Sequence, residues 1–293
     1  MTRFAEQQIL SRNPKGEHRI VYSDIGPKDG RPLLCIHGLT CNGHDFDVLA
    51  GALAQDGYRV IAPDLPGRGR SDFLPDPADY NYEQYLSDIH AVLEHLGLNK
   101  PDSVDWLGVS LGGLLGFRMA GAENSPIHRL IVNDIGPEVP KEALDFIRLV
   151  LSQRYTFDTM DEFERRLRGT RGLTWGPVTD AQWKHMAEHN VRALEDGRLT
   201  YAYDPDIAAL FDKEPTGGEN LWPYWEKIAC PVLVLRGAES ALLTGKIAEK
   251  MKECYKGHSF TAAVFDGCGH VPSLMEPGQI RIVRKWLAHT PEL

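Results

Sequence analysis

Short apolar runs alternate with longer helical patterns along most of this 293-residue chain. The runs with the length of buried strands are 33–36, 58–62, 103–107, 130–132, 231–235 and 262–265. Helical patterns lie between them, for example at 45–55, 82–96 and 111–121. This alternation predicts an α/β fold whose mostly parallel sheet carries helices on both faces. Polar and apolar residues alternate over 17–25, which predicts an antiparallel hairpin at the sheet edge.

One long stretch, residues 137–225, lacks a clean buried strand. It shows several helical patterns rich in Arg, Glu and Trp, the tryptophans being Trp175, Trp183, Trp222 and Trp225. The stretch is too long for a single crossover of ordinary size. We therefore predict a core domain of residues 1–136 and 226–293, with residues 137–225 inserted as a helical cap subdomain.

The net charge disfavours some classes of partner, and the cysteine content indicates the redox compartment. The chain has 32 basic and 41 acidic residues and a net charge of −9, which argues against nucleic acid or an anionic membrane as the main partner. No apolar run approaches the length of a membrane span, and the N-terminus lacks the apolar core of a signal peptide. The five cysteines are odd in number and form no CxxC pair, so we expect free thiols in a reducing cytoplasm. No sequence feature indicates an oligomeric state.

The strongest chemical motif is Gly108-Val109-Ser110-Leu111-Gly112. It joins a predicted strand to a predicted helix, which is the context required by a nucleophile elbow. A serine at such a turn projects its hydroxyl above the sheet, and the helix start behind it favours developing negative charge. We predict that Ser110 is a catalytic nucleophile.

Two further motifs follow predicted strands. His37-Gly38 ends the run 33–36, and its glycine lets the backbone approach a substrate oxygen. We predict an oxyanion hole formed by the N–H groups of Leu39 and Leu111, with His37 holding the loop. The glycine-rich segment that follows residue 265 ends at His270, which comes after the serine in the order nucleophile, acid, histidine. We predict that His270 is the general base.

Together these motifs resemble those of the α/β-hydrolase superfamily, in particular its capped esterase, lactonase and C–C hydrolase branch. The matching segments are His37-Gly38, 64–71, 108–113, 133–137 and 267–270. The resemblance implies an eight-stranded sheet, a cap over the nucleophile that shapes the substrate pocket, and a structural turn at 64–71.

The third member of the expected catalytic triad is not where similar proteins usually have it. Their aspartate follows the strand equivalent to 232–235 and would fall at position 241, but this chain has Ala241. Three interpretations are open. Asp134, at the end of the preceding strand, supplies the acid; Glu239 supplies it; or the acid is absent, and the chain is a natural degenerate or a deliberately disabled variant with weak turnover.

We accordingly predict a serine-dependent enzyme that hydrolyses a small carboxylic ester or lactone through an acyl-enzyme. The alternatives are hydrolysis of a C–C bond in a ring-cleavage product, or a non-catalytic hydrolase-like protein that binds a small ligand. No cofactor is implied. His185 and His189 have the i,i+4 spacing of metal ligands, but no HExxH pattern accompanies them, so no metal site is expected.

Overall fold

The computed structural model describes residues 4–151, 153–211 and 220–289. The strands in these residues are β1 (Phe4–Asn13), β2 (Gly16–Ile25), β3 (Arg31–Ile36), β4 (Tyr58–Pro63), β5 (Val104–Val109), β6 (Ile127–Asn133), β7 (Val191–Ala193), β8 (Leu199–Tyr201), β9 (Val232–Gly237) and β10 (Phe260–Phe265). The helices are α1 (Asp47–Gln55), α2 (Tyr82–Leu96), α3 (Leu111–Ala120), α4 (Lys141–Leu151), α5 (Met160–Arg171), α6 (Asp180–His189), α7 (Trp222–Trp225), α8 (Gly245–Cys254) and α9 (Pro277–His289).

The main sheet has eight strands in the order β1-β2-β4-β3-β5-β6-β9-β10. The pairs β1–β2 and β2–β4 are antiparallel, whereas the strands from β4 to β10 pair in parallel. This confirms the predicted α/β class, the mostly parallel eight-stranded sheet and the hairpin at its edge. The carboxyl ends of the parallel strands meet at one edge of the sheet, where ligands bind in folds of this kind.

Both faces of the sheet are covered, as the apolar runs predict. Along β3, Leu34 and Ile36 belong to one buried cluster, whereas Leu33 and Cys35 belong to another on the opposite face. Side chains of α2, α3 and α8 complete the first cluster, and those of α1 and α9 complete the second. Alternate residues of a strand point to opposite faces, so a strand buried on both sides is continuously apolar.

Local signals explain why α2 has the bounds that its pattern predicts. The Asn81 side chain caps the first turn by accepting a hydrogen bond from the Gln84 amide. At the other end, Gly97 adopts a left-handed conformation (φ 70°), which ends the helix at little steric cost.

The chain between β6 and β9 contains α4 to α7, and α5 and α6 contribute a small apolar core of their own. This core includes Phe163, Leu167, Trp175, Trp183 and Met186. The rings of Trp175 and Trp183 stack with centroids 5.7 Å apart. Trp225 lies instead in the main core, where its ring meets Phe117 edge to face.

The same stretch also contains a short antiparallel hairpin, β7–β8, that the sequence analysis did not predict. Each strand has only three residues and is not fully buried, so the stretch is too short to show a strand periodicity. The hairpin joins the core through backbone hydrogen bonds: Gly69 N–H donates to Ala202 O over 2.7 Å, and the N–H of Asp204 donates to Gly67 O, also over 2.7 Å.

Two further observations concern the described residues. All five cysteines are free, as expected from their number and spacing. Among the helices described above, none is both long enough and apolar enough to cross a membrane.

Candidate active site

Ser110 lies in a sharp turn between β5 and α3. Its backbone has φ 50° and ψ −110°, a conformation that L-residues rarely adopt. The turn is tight because a Cβ on Gly108 would lie 2.2 Å from the Gly112 carbonyl oxygen, and one on Gly112 would lie 2.0 Å from the Ile36 oxygen. The glycines at these two positions therefore allow the strand, the turn and the helix to pack together, and the serine hydroxyl faces the carboxyl edge of the sheet.

The structure brings Ser110, His270 and Asp134 into one hydrogen-bonded chain. His270 Nε2 lies 3.1 Å from Ser110 Oγ, and His270 Nδ1 lies 2.8 Å from Asp134 Oδ2. An ionised carboxylate only accepts hydrogen bonds, so Nδ1 carries the proton and Nε2 is free to accept the serine hydroxyl proton. This is the geometry of a nucleophile, a base and an orienting acid.

Asp134 is fully buried and is held by two donors besides His270. The Gly237 N–H donates to Oδ1 over 2.8 Å, and the Ser240 hydroxyl donates to Oδ2 over 2.6 Å. The residue follows β6 in a left-handed conformation (φ 61°), which aspartate tolerates better than most residues. These three partners supply hydrogen bonds that the buried carboxylate would otherwise make with water. No sequence pattern singled out Ser240.

The other two candidates for the acid have different surroundings. Ala241 and Glu239 both lie in the wall of the cavity next to His270. Within the described residues, the Glu239 carboxylate makes no hydrogen bond to His270, and its backbone N–H donates to Cys268 O over 2.9 Å. The carboxylate in contact with the histidine ring is therefore that of Asp134.

The loop after β3 places Leu39 beside the serine. Within the described residues, the N–H groups of Leu39 and Leu111 make no hydrogen bond, so both are available to a ligand. His37 is fully buried and links two loops: it accepts the Leu65 N–H at Nε2 over 2.9 Å and contacts Gly38 O through Nδ1 over 2.7 Å. Burial lowers the pKa of His37 to about 4, so its ring is neutral and acts as a brace.

The loop at 64–71 is held by hydrogen bonds and an ion pair at Asp64. The buried Asp64 carboxylate accepts hydrogen bonds from the Gly43 N–H over 2.7 Å and from the Arg70 N–H over 2.8 Å. The Arg70 side chain makes an ion pair with the same carboxylate at 2.8 Å. These contacts hold the segment that leads from the loop after β3 into α1.

A cavity of about 730 Å³ opens beside Ser110 and His270. Its walls come from the loop after β3, from α4 and α5, and from the loops after β9 and β10. Of the four tryptophans in residues 137–225, Trp175 lines it, whereas Trp183, Trp222 and Trp225 are not among the described lining residues. Arg171 is its only Lys or Arg among the described lining residues, and no sequence pattern singled it out. A second cavity of about 50 Å³, lined almost entirely by apolar side chains, adjoins Ser110, Leu39 and Leu111.

The family of the protein follows from its sequence and agrees with the observed fold. A family model described as alpha/beta hydrolase fold matches residues 31–277. The chain belongs to the alpha/beta hydrolase fold family and is a hydrolase of that type.

The chain is similar over nearly its whole length to the 3-hydroxybutyrate-oligomer hydrolase of Cupriavidus necator. The two are 37% identical over 279 residues, which cover 92% of this chain and 93% of the relative. A non-heme chloroperoxidase of Burkholderia pyrrocinia is 36% identical over 247 residues, covering 78% and 81%. Among solved structures, an alpha/beta hydrolase from Novosphingobium aromaticivorans is 33% identical with a TM-score of 0.85, covering 98% and 99% of the two chains.

Proposed function

We propose that the protein is a serine-dependent carboxylic ester hydrolase that acts through an acyl-enzyme. The observation that carries the proposal is the chain of two hydrogen bonds from Ser110 through His270 to Asp134, open to a cavity. In this mechanism His270 Nε2 takes the Ser110 proton as Oγ attacks the ester carbonyl carbon. The Leu39 and Leu111 N–H groups hold the oxyanion, and Asp134 stabilises the charged imidazole.

The tetrahedral intermediate collapses when the bond from the carbonyl carbon to the alcohol oxygen breaks. His270 gives its proton to that oxygen, and the alcohol leaves. Water then attacks the Ser110 ester, with His270 again taking and returning one proton, and the acid product departs. The reaction consumes one water and needs no redox partner.

The two cavities favour an ester with a small acyl group. The apolar cavity of about 50 Å³ beside Ser110 suits a short aliphatic chain, whereas the larger one suits an extended leaving group. The relative from Cupriavidus necator is named for hydrolysis of 3-hydroxybutyrate oligomers. We therefore propose short 3-hydroxyacyl ester oligomers as the substrate class.

An oligomer of this kind ends in a free carboxylate, and we propose that Arg171 binds it. Arg171 ends α5, within residues 137–225 that we propose as the cap, and its guanidinium lies over the Trp175 ring at 4.8 Å. Its Nη2 lies 3.5 Å from Thr40 O, beside the proposed oxyanion loop, while Nη1 is buried without a hydrogen-bond partner in the described residues. Arg171 lines the cavity, and a guanidinium there is suited to the carboxylate of the leaving hydroxy acid.

The first experiment tests the chemistry. The wild-type chain should hydrolyse p-nitrophenyl acetate and be labelled by a fluorophosphonate, and Ser110→Ala should lose both. Ser103→Ala is the matched control, because its hydroxyl donates to Leu98 O on a loop outside the cavity lining. Absence of labelling in the wild type would favour the non-catalytic alternative and contradict the proposal.

The second experiment tests the substrate class. Arg171→Gln should raise KM for the linear 3-hydroxybutyrate dimer by roughly tenfold to a hundredfold, which corresponds to one charge-assisted hydrogen bond. KM for the methyl ester of the dimer and turnover of p-nitrophenyl acetate should stay unchanged. An equal rise for acid and methyl ester would reject carboxylate recognition by Arg171 and leave the ester hydrolase proposal standing.

A further inference from the structure

Three histidines and an aspartate meet on the protein surface next to the cavity, although two of them lie far from the other two in sequence. His44 is in the 3₁₀ turn Gly43–Phe46 and Asp47 begins α1, whereas His185 and His189 lie one turn apart on α6. One ligand atom from each side chain can be chosen so that all four lie within 4.8 Å of one another. No metal site was expected here because no HExxH pattern accompanies His185 and His189, and their spacing does not show that His44 and Asp47 lie beside them.

From this juxtaposition we propose that a divalent transition-metal ion binds to His44, Asp47, His185 and His189. Zn²⁺ fits these ligands best, and the bound ion links α6 to the start of α1.

Distances within the cluster come close to those of a tetrahedral site. Zn²⁺ binds imidazole nitrogen at about 2.0–2.1 Å, so neighbouring ligand atoms lie roughly 3.3 Å apart. Asp47 Oδ2 is already 2.8 Å from His44 Nδ1 and 3.0 Å from His185 Nε2. All four ligand atoms lie within 4.8 Å of one another, so binding an ion requires the most distant of them to approach by roughly 1.5 Å.

The hydrogen bonding of the His189 ring leaves its Nε2 atom free to bind a metal ion. Its Nδ1 lies 2.8 Å from the His185 carbonyl oxygen, which can only accept, so Nδ1 carries the proton. Nε2 of the neutral ring then has a free lone pair. A ligating histidine commonly donates its other N–H to a backbone carbonyl in this way, because the contact fixes the tautomer and the ring orientation.

A network of hydrogen bonds alone does not account for the cluster. Asp47 Oδ1 and His185 Nε2 are buried and have no hydrogen bond of good geometry in the described residues, although the latter lies 3.0 Å from Asp47 Oδ2. The His189 ring packs against both other rings, with centroids 4.0 Å from His44 and 4.3 Å from His185. Asp47 Oδ1 is then a buried acceptor with no donor in the described residues, and an ion coordinated by the carboxylate would provide its partner.

The donor set selects the metal. Three imidazoles and one carboxylate suit Zn²⁺ and its neighbours in the first transition series, whereas Mg²⁺ prefers oxygen ligands and retains its waters. The four side chains are partly exposed, so an ion can enter from solvent. The site is also held in place without metal, because the Asn42 amide donates to the His189 carbonyl over 2.9 Å and fastens the end of α6 to the core.

The position of the site gives the ion a role. Asp45, between His44 and Asp47, lines the large cavity, and Leu39 lies earlier in the same loop. A metal bound here would tie residues 137–225 to the loop that carries a proposed oxyanion donor. It would act as a clamp on the cavity wall, at a distance from the reacting atoms.

The test uses the full chain treated with EDTA and then titrated with Zn²⁺ by calorimetry. We expect one ion per chain, a higher melting temperature with Zn²⁺ than with Mg²⁺, and slower hydrogen exchange in α6. His185→Ala and His189→Ala should each weaken Zn²⁺ binding by on the order of 100-fold or more. Even the mutation of a residue that only hydrogen-bonds to a metal ligand typically lowers metal affinity by about 10- to 100-fold.

His90→Ala is the matched control, because His90 also faces the carbonyl four residues earlier in its helix, at 2.8 Å, but lies outside the cluster. It should bind Zn²⁺ like the wild type. If a cluster variant fails to fold, Co²⁺ added to the wild type keeps the proposal testable, since it should show the visible spectrum of a tetrahedral ion. No stoichiometric Zn²⁺ binding, binding that survives His189→Ala, or an octahedral Co²⁺ spectrum would overturn the proposal.

Discussion

Replacing Asp134 by asparagine tests the proposed acid with almost no change of shape. The Gly237 N–H can only donate, so it fixes the asparagine with its oxygen at the Oδ1 position, 2.8 Å away. The amide nitrogen then takes the place of Oδ2 and points its hydrogens at Ser240 and His270. Ser240 Oγ already accepts the N–H groups of Leu242 and Leu243 over 3.3 and 3.1 Å, so its hydroxyl must turn away from the amide. His270 can accept only if Nδ1 loses its proton, which moves the proton to Nε2.

A proton on Nε2 prevents His270 from accepting the Ser110 proton across the 3.1 Å contact. The wrong tautomer costs about 10⁴ in kcat in serine proteases, which is about 5.5 kcal/mol of transition-state stabilisation. We expect a loss of this size in kcat for p-nitrophenyl acetate, with KM nearly unchanged and the circular dichroism spectrum intact. A loss of less than about tenfold would refute the assignment of Asp134 as the orienting acid.

Ala241→Asp completes this test. In the wild-type background it should not raise kcat, because His270 Nδ1 already has an acceptor at 2.8 Å. An increase of orders of magnitude would mean that the acid is functionally absent in this sequence, whatever the distance from Asp134 to His270.

Three further variants probe the surroundings of the site. Ser240→Ala removes one donor to Asp134 and should lower kcat roughly tenfold, measured with p-nitrophenyl acetate; an unchanged kcat would show that the hydroxyl does not position the acid. Burial lowers the pKa of His37 to about 4, so from pH 7 to pH 5 only the unfolded chain gains a proton there and stability falls by on the order of 2 kcal/mol. His37→Gln should remove this fall in urea titrations at the two pH values, and an equal fall in both proteins would contradict it. Arg129→Met removes the arginine partner of the buried Asp105 carboxylate and leaves it His128 Nδ1 at 3.2 Å, so it should cost about 3–5 kcal/mol in urea unfolding, largely recovered by Asp105→Leu in the same chain; a single variant as stable as the wild type would refute this.

Much of the fold was predictable because each main strand carries its own signal. A strand such as β3, buried on both faces, is apolar without interruption, and α2 has a capping asparagine and a terminal glycine. The hairpin β7–β8 lacks such a signal, since its stability depends on contacts with α5 and the core loops and not on its own short strands. Residues 212–219, within the predicted cap, lie outside the described residues.

The site was predictable to the extent that its residues share a local pattern. Ser110 and His270 each follow a strand within a glycine-rich turn, so the sequence alone indicates their position. The acid was ambiguous because its contact with His270 depends on how β6 and β9 lie side by side. Arg171 and the histidine cluster depend on the packing of α5 and α6 against the core, which no spacing in the sequence records.

Ala241 has a consequence beyond the missing carboxylate. In the proposed mechanism the hydrogen bonds that govern turnover end at Asp134, on a buried segment, while position 241 lies exposed in the cavity wall. A substitution at position 241 can then change substrate preference without changing the residues that determine reactivity. Substitutions at position 241 could reshape the cavity wall without changing the hydrogen bonds among Ser110, His270 and Asp134. This loop is therefore a suitable first target for redirecting the enzyme to bulkier esters.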